Sequence, residues 1–276
     1  MQILFVNLQS ADPPFEVPDT LGRLCGIAEL AGNQVGILDL NLLRMSTERI
    51  RKDCQDQKKE GAIWEVALLY GSESGYVSAK SFIEIFRKEF KALIVLAGGV
   101  AQPQIMKLLD AEIALQDPSI EISWKELLKG IPNGRWNNIL GVRSQDSPIY
   151  TPRAQQALLD SLPYPAYDRM MLDVRDPYRN LIGGYFLQLK VNIPAEMYVM
   201  QKGMTASWIR DGVRFSPKYA VEQIKFLRMK YGIDFFSMTD KEFMRDVKWL
   251  KEFCDLYMRE GLYQAIKWEC WADVHY

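Results

Sequence analysis

The first half of the chain alternates short apolar runs with amphipathic stretches. Gln2–Val6 is a compact apolar run of strand type. Leu21, Leu24, Cys25 and Ala28 then recur at helical spacing, which predicts a helix from Thr20, as its cap, to Glu29, with Gly32 as the stop. Gln34–Leu40 reads as a second strand and Thr47–Lys59 as a charged, exposed helix. Glu65–Tyr70 is a third strand. Val77–Phe90 is a helix with Phe82, Ile83, Phe86 and Phe90 on one stripe. Leu93–Ala97 (LIVLA) is nearly all apolar, the pattern of a strand buried on both faces. A helix begins near Ile105, and Glu112–Leu115 reads as a fifth, edge strand. This βαβα alternation predicts a doubly wound parallel sheet.

The pattern weakens over Asn133–Asn180, and residues 133–195 are expected to connect two domains. This stretch includes DSLPYPAYDRM, where Pro163 and Pro165 disfavour helix. Strand-and-helix alternation resumes at Glu196–Gln201. Ser216 is placed to cap a helix with Pro217 at its first position, and Ala220, Ile224, Leu227 and Tyr231 form its buried stripe. Ile233–Ser237 is a strand. Thr239 and Glu242 match a capping box for a long helix with Phe243, Val247, Leu250, Cys254 and Tyr257 inward, ending at Gly261. Ile266–Cys270 is the last strand. The expected organisation is therefore a domain over 1–132, a connector over 133–195 and a second domain over 196–276.

Composition narrows the function classes. Lys+Arg 34 against Asp+Glu 35 leaves a net charge of −1, which gives no general attraction to nucleic acid or to an anionic membrane. No apolar run approaches the roughly 20 residues a membrane helix needs. The opening MQILFVN lacks the basic region of a secretory signal and reads as a buried strand. The four cysteines, Cys25, Cys54, Cys254 and Cys270, form no CxxC pair and are too sparse for a disulfide scaffold, so a reducing cytoplasm is expected. The single histidine, His275, is near the end of the sequence, a poor position for a ligand or base.

Several local motifs together resemble the cobalamin-binding radical S-adenosylmethionine (SAM) family. The run ADPPFEVPDTLGRLCGIAELAGNQVGILDLN follows the first strand. LLYGSES and LAGGV mark the ends of the third and fourth strands. DSLPYPAYDRM is similar to the family's Leu-Pro-aromatic-Pro-Ala segment. FSPKYAVEQIKFLRMKYGIDFFSMTD and LKEFCDLYMREGL look like the opening of its barrel. The resemblance implies a Rossmann-like, cobalamin-type parallel sheet followed by a partial, three-stranded (β/α) half-barrel of radical SAM type.

It also implies a loss. In EMYVMQKGMTASWIRDGVRFSP, placing Gly203 on the family's glycine puts Met204, Trp208 and Asp211 where three cysteines, CxxxCxxC, would hold a four-iron cluster. None can supply a thiolate. The Gly-Glu-Gly-Glu turn is replaced by Gln116-Asp117-Pro118-Ser119, and no Asp-x-His-x-x-Gly motif follows the first strand. No catalytic residue, no metal ligand and no iron–sulfur cluster are expected, and the chain reads as a pseudoenzyme.

The candidate cofactor-binding residues are Gly71, Ser72, Ser74, Gly75, Gly98 and Gly99, at the carboxyl ends of two strands, where ligands of open α/β sheets bind. Small residues there either let the backbone approach cobalamin, with hydroxyls bonding its phosphate or amides, or simply make strand-to-helix turns. On the first reading, a bulky residue at 98 abolishes binding in a folded protein. Asp211 and Asp240 fit turn and helix-end roles. Trp208 fits a plug for the vacated cluster space. Two functions follow: a cobalamin-binding protein without radical chemistry, or a non-catalytic interaction subunit that binds neither cofactor. The unpaired edge at Ile266–Cys270 calls for cover by the first domain, the connector, a partner protein or a second copy.

Overall fold

The computed structural model describes residues 1–10, 18–116, 120–145, 150–152, 159–170, 203–206, 209–210, 213–238, 240 and 243–270. The chain divides into two compact units. The first comprises 1–13, 18–156 and 163–170, and the second comprises 14–17, 157–162 and 171–276.

The first unit is built on a six-stranded sheet. Its strands are β1 (Gln2–Asn7), β2 (Gln34–Asp39), β3 (Val66–Gly71), β4 (Leu93–Gly98), β5 (Ile113–Leu115) and β6 (Val142–Ser144), in the spatial order β2-β1-β3-β4-β5-β6. The first five are parallel, and β6 is antiparallel to β5, with Leu115 opposite Val142. β5 is therefore not the edge strand its position in the sequence suggested. The Val-Arg-Ser core of β6 is too short to carry a strand period of its own.

Helices cover both faces, as near-continuous apolar strands require. On one face lie α1 (Asp19–Leu30) and α6 (Ile120–Gly130); on the other lie α3 (Thr47–Lys59), α4 (Tyr76–Glu89) and α5 (Pro103–Leu109), with a short α2 (Leu40–Leu43) after β2. α6 has no counterpart in the sequence reading, because its buried face mixes Ile120, Trp124, Leu127 and Leu128 with the buried polar residues Glu121 and Ser123. Trp124 has no exposed surface; its ring meets Phe5 edge-on at 5.9 Å, and its indole N–H donates to the Leu24 carbonyl at 2.9 Å.

Local signals explain most element ends. Ser46 caps α3 by accepting from the Arg49 N–H, and Asp39 caps α2 by accepting from the Leu42 N–H. Thr20 lies inside α1, which starts one residue earlier after Pro18, so the cap expected of it is absent. Two glycines inside α1 admit a neighbour. A β-carbon on Gly22 would lie 2.6 Å from the Met170 sulfur and 2.7 Å from Pro165, and one on Gly26 would lie 3.4 Å from the Tyr164 carbonyl oxygen. The Ala166 N–H completes this docking with a 2.9 Å bond to the Gly22 carbonyl. The proline-rich segment 163–170 is thus packed on a helix of the first unit.

The second unit holds a parallel three-stranded sheet in the order β11-β10-β7, formed by β7 (Gly203–Ala206), β10 (Phe235–Met238) and β11 (Lys267–Cys270), together with a two-stranded ribbon of β8 (Ile209–Arg210) and β9 (Val213–Arg214). Its helices are α7 (Pro217–Tyr231) and α8 (Val247–Arg259). Ser216 caps α7 through the Tyr219 N–H, with Pro217 first in the helix, as the sequence predicts.

α8 differs from expectation. It starts at Val247 with Asp246 as its cap, and its buried stripe is Trp249, Phe253 and Tyr257. Val247, expected inward, is 72% exposed, and Phe243 is fully buried from a turn before the helix. Phe243, Phe253 and Trp268 meet edge-on with centroids 5.8–6.0 Å apart. Large rings at 249, 253 and 257 fill more volume than the residues one position over, which sets the helix rotation. The expected strand at Glu196–Gln201 and the expected capping pair Thr239 and Glu242 lie outside the described residues.

Candidate functional site

In an open parallel sheet the carboxyl ends of the strands form the rim where ligands bind, at the point where strand order reverses. Here the chain moves from β1 outward to β2, then returns to place β3 on the other side of β1. The reversal falls between β1 and β3. The candidate glycines follow β3 and β4, and Gly71 and Gly98 are register partners at the ends of these strands.

Each glycine has an identifiable neighbour. A β-carbon on Gly71 would come within 3.0 Å of the Leu8 β-carbon, and one on Gly75 within 3.1 Å of the same atom. Leu8 is 1% exposed and its N–H bonds the Tyr70 carbonyl at 2.8 Å, so it extends the β1–β3 ladder and fills the space at the reversal. On Gly98 the added carbon would lie 2.9 Å from the Gly71 carbonyl oxygen and 3.1 Å from the Tyr70 ring; on Gly99 it would lie 2.8 Å from the Glu73 nitrogen. The loops after β3 and β4 close on each other. Ser72 and Ser74 share a hydroxyl–hydroxyl bond of 2.8 Å, and the Gln102 amide donates to the Glu73 carboxylate across the two loops. The structure therefore brings all six candidate residues onto one rim, while their small size is already used by packing.

Gly98 also has φ 76° and ψ −152°, a conformation nearly confined to glycine. A bulky residue there is consequently not a clean test of ligand contact, contrary to the expectation from sequence. Gly98→Ala is expected to lower the stability of the ligand-free protein by about 1–3 kcal/mol, through both the backbone conformation and the close Gly71 carbonyl. Urea denaturation without ligand measures it. An unchanged midpoint would show that the loop accepts a side chain and that the glycine serves something other than packing.

Further rim residues carry no sequence signal of their own. Asn7, at the end of β1, donates from its side-chain amide to Asp39 at the end of β2 at 2.9 Å, and both are buried. At the other end, the Gln116 amide donates to the Ala101 carbonyl, and its oxygen accepts from Arg143 Nε at 2.7 Å. The guanidinium of Arg143 lies 4.7 Å from the centre of the Tyr150 ring. Gln116 stands in the stretch where the resemblance implied a Gly-Glu-Gly-Glu turn. A single arginine in the weakly patterned 133–195 stretch carries no signal by itself.

In the second unit, Met204 lies in β7 and is buried at 3% exposure; Trp208 and Asp211 lie outside the described residues. Asp240 is buried, with its carbonyl accepting from the Phe243 N–H; it lies in a turn ahead of α8, whose cap is Asp246, and not at the helix end expected of it. Burial pushes the thiols of Cys25 and Cys54 up to about 12, and it also raises those of Cys254 and Cys270. Among the described residues, no helix is long and apolar enough to cross a membrane.

No family model matches this chain, and no curated protein does. Its fold is similar to solved structures of the radical S-adenosylmethionine methyltransferase TsrM from Kitasatospora setae. The structure with tryptophan substrate and a SAM analogue matches with a TM-score of 0.67 at 13% identity, over 97% of this chain and 54% of the other. The one with cobalamin and a [4Fe-4S] cluster bound matches with a TM-score of 0.64 at 13% identity, over 97% and 53%. The chain spans about half the length of those proteins. At this identity the likeness establishes a shared α/β fold.

Proposed function

We propose that this chain is a cobalamin-binding-type protein, related to radical SAM enzymes, that does not itself carry out radical chemistry. The observation that carries the reading is a coincidence of fold and rim. The fold follows a protein solved with cobalamin bound, and two glycine loops stand at the carboxyl ends of adjacent central strands, beside the strand reversal. On this reading the corrinoid lies against Gly71, Ser72, Ser74, Gly75, Gly98 and Gly99. The backbone at exposed Gly98 is unscreened by a side chain, and the two serine hydroxyls can exchange their mutual bond for one to the ligand. The iron–sulfur site does not fit this chain, because its three ligand positions carry a thioether, an indole and a carboxylate. The second unit is read as a partial half-barrel retained for packing.

Incubation with hydroxocobalamin followed by desalting tests the proposal. The expected result is a corrinoid visible spectrum retained at about one per chain. Loss of all colour on desalting overturns it.

One observation favours a second reading, an interaction subunit that binds neither cofactor. The space beside all four glycines is filled by Leu8, Tyr70 or loop backbone. On that reading the glycines serve loop closure alone, and the edge of β11, which pairs only with β10 among the described residues, receives a partner chain. A colourless protein that light scattering shows to be a dimer or larger supports this alternative.

A further inference from the structure

The rim of the first unit is closed at the strand reversal by Leu8, and its polar groups gather at the β4–β5–β6 end. β6 runs antiparallel, so its first residues lie beside the carboxyl end of β5. Arg143 is paired in register with Ala114, and Gln116 lies two residues beyond Ala114 on the same face of the sheet. The side chain of Arg143 is then braced twice. Its Nε donates to the Gln116 oxygen at 2.7 Å, and its guanidinium lies against the Tyr150 ring at 4.7 Å. Gln116 is fixed in turn by donating to the Ala101 carbonyl, in the 3-10 turn Gly99–Ala101 that follows Gly98.

A solvated edge-strand arginine needs none of this. Holding a flat, permanently charged fork in one orientation is what recognition of a phosphate requires, because the ordering entropy is lost in folding rather than on binding. The amide and the ring both leave the positive charge unneutralised.

We infer that Arg143, positioned by Gln116 and Tyr150, is the anion-binding residue of this rim and receives the phosphodiester of a nucleotide-tailed corrinoid lying along the Gly98–Ala101 loop. The inference rests on the cobalamin reading above. It adds the residue that would hold the ligand's negative charge, and the two side chains that orient it.

Two corrinoids separate the terms: cobalamin, which carries the phosphodiester tail, and cobinamide, which lacks it. Dissociation constants are measured for both by spectral titration, at low and high salt, for the full chain, R143Q and R143K. The parent is expected to prefer cobalamin by about tenfold or more, the size of one charge-assisted hydrogen-bonded contact. R143Q is expected to remove that preference and its salt dependence, with cobinamide affinity unchanged. R143K, which keeps the charge but loses the fork, should retain part of it. Near-ultraviolet circular dichroism and the thermal midpoint check that the variants are folded.

A parent that binds both corrinoids equally overturns the inference and leaves the cobalamin reading standing. So does a folded R143Q with undiminished preference, or one that loses both ligands alike. A parent that binds neither overturns both.

Discussion

Trp124→Ala is expected to destabilise the first unit by about 3–5 kcal/mol, the range for truncating a fully buried large aromatic residue. The ring has no exposed surface and spans the layer between α1, α6 and the sheet. Its removal deletes the edge contact with Phe5 and the second bond to the Leu24 carbonyl, which lies inside α1, so an apolar void and a lost buried hydrogen bond appear together. Ordinary domains have only about 5–15 kcal/mol in total, so the variant is expected to be partly unfolded at physiological temperature. Urea denaturation followed by tryptophan fluorescence and by far-ultraviolet circular dichroism measures the loss. Trp124→Phe restores most of the volume without the N–H and should recover more than half of it. A loss under about 1 kcal/mol for the alanine variant would show that the layer collapses around the gap. That would mean the layer between α1, α6 and the sheet is not rigidly packed.

The same residue shows what the sequence conveyed and what it did not. Strands with unbroken apolar cores, such as Leu93–Gly98, and helices with a repeating stripe, such as Phe82, Ile83 and Phe86, were legible because hydrophobic period is a local property. Ser46 and Ser216 were readable as caps for the same reason, although only the second was singled out. Trp124 was not legible as a core residue, because the helix that carries it buries Glu121 and Ser123 as well and so blurs its own period. The rotation of α8 is not legible in its period, because Trp249 and Phe253 compete with Val247 and Leu250 for the buried side, and ring volume decides such contests in three dimensions.

The candidate site divides in the same way. The glycines after β3 and β4 were visible as small residues in the right place, but not the reason for their smallness. Leu8 is 63 residues from Gly71, and the approach of its β-carbon is a fact of strand order. The Arg143–Gln116–Ala101 bracket joins residues from β6, the end of β5 and the turn after β4, in a stretch with almost no periodicity. The lack of cysteine at 204, 208 and 211 is legible in the sequence directly, because it depends on residue identity and not on fold.

Those positions lead to the second large effect. Anaerobic reconstitution with iron and sulfide is expected to leave no stoichiometric four-iron cluster on this chain. A cluster of the radical SAM type needs three protein thiolates converging on one point. The four cysteines are divided between the units, two in each, so neither unit contains three. Cys25 and Cys54 are buried at 0% and 2% exposure, and burial holds both thiols protonated up to about 12, well above any reconstitution pH. Cys254 and Cys270 are half-buried with thiols also raised by burial, so neither is a ready thiolate. Met204, where the family resemblance would put the first ligand, is 3% exposed and offers a neutral thioether. Iron and sulfide content after gel filtration, with electron paramagnetic resonance of the reduced sample, measures the outcome. Iron well below one atom per chain and no cluster signal are expected. Four irons per chain with a reduced-cluster signal would show that other ligands assemble a site, and would return the chain to the class of enzymes that its fold resembles.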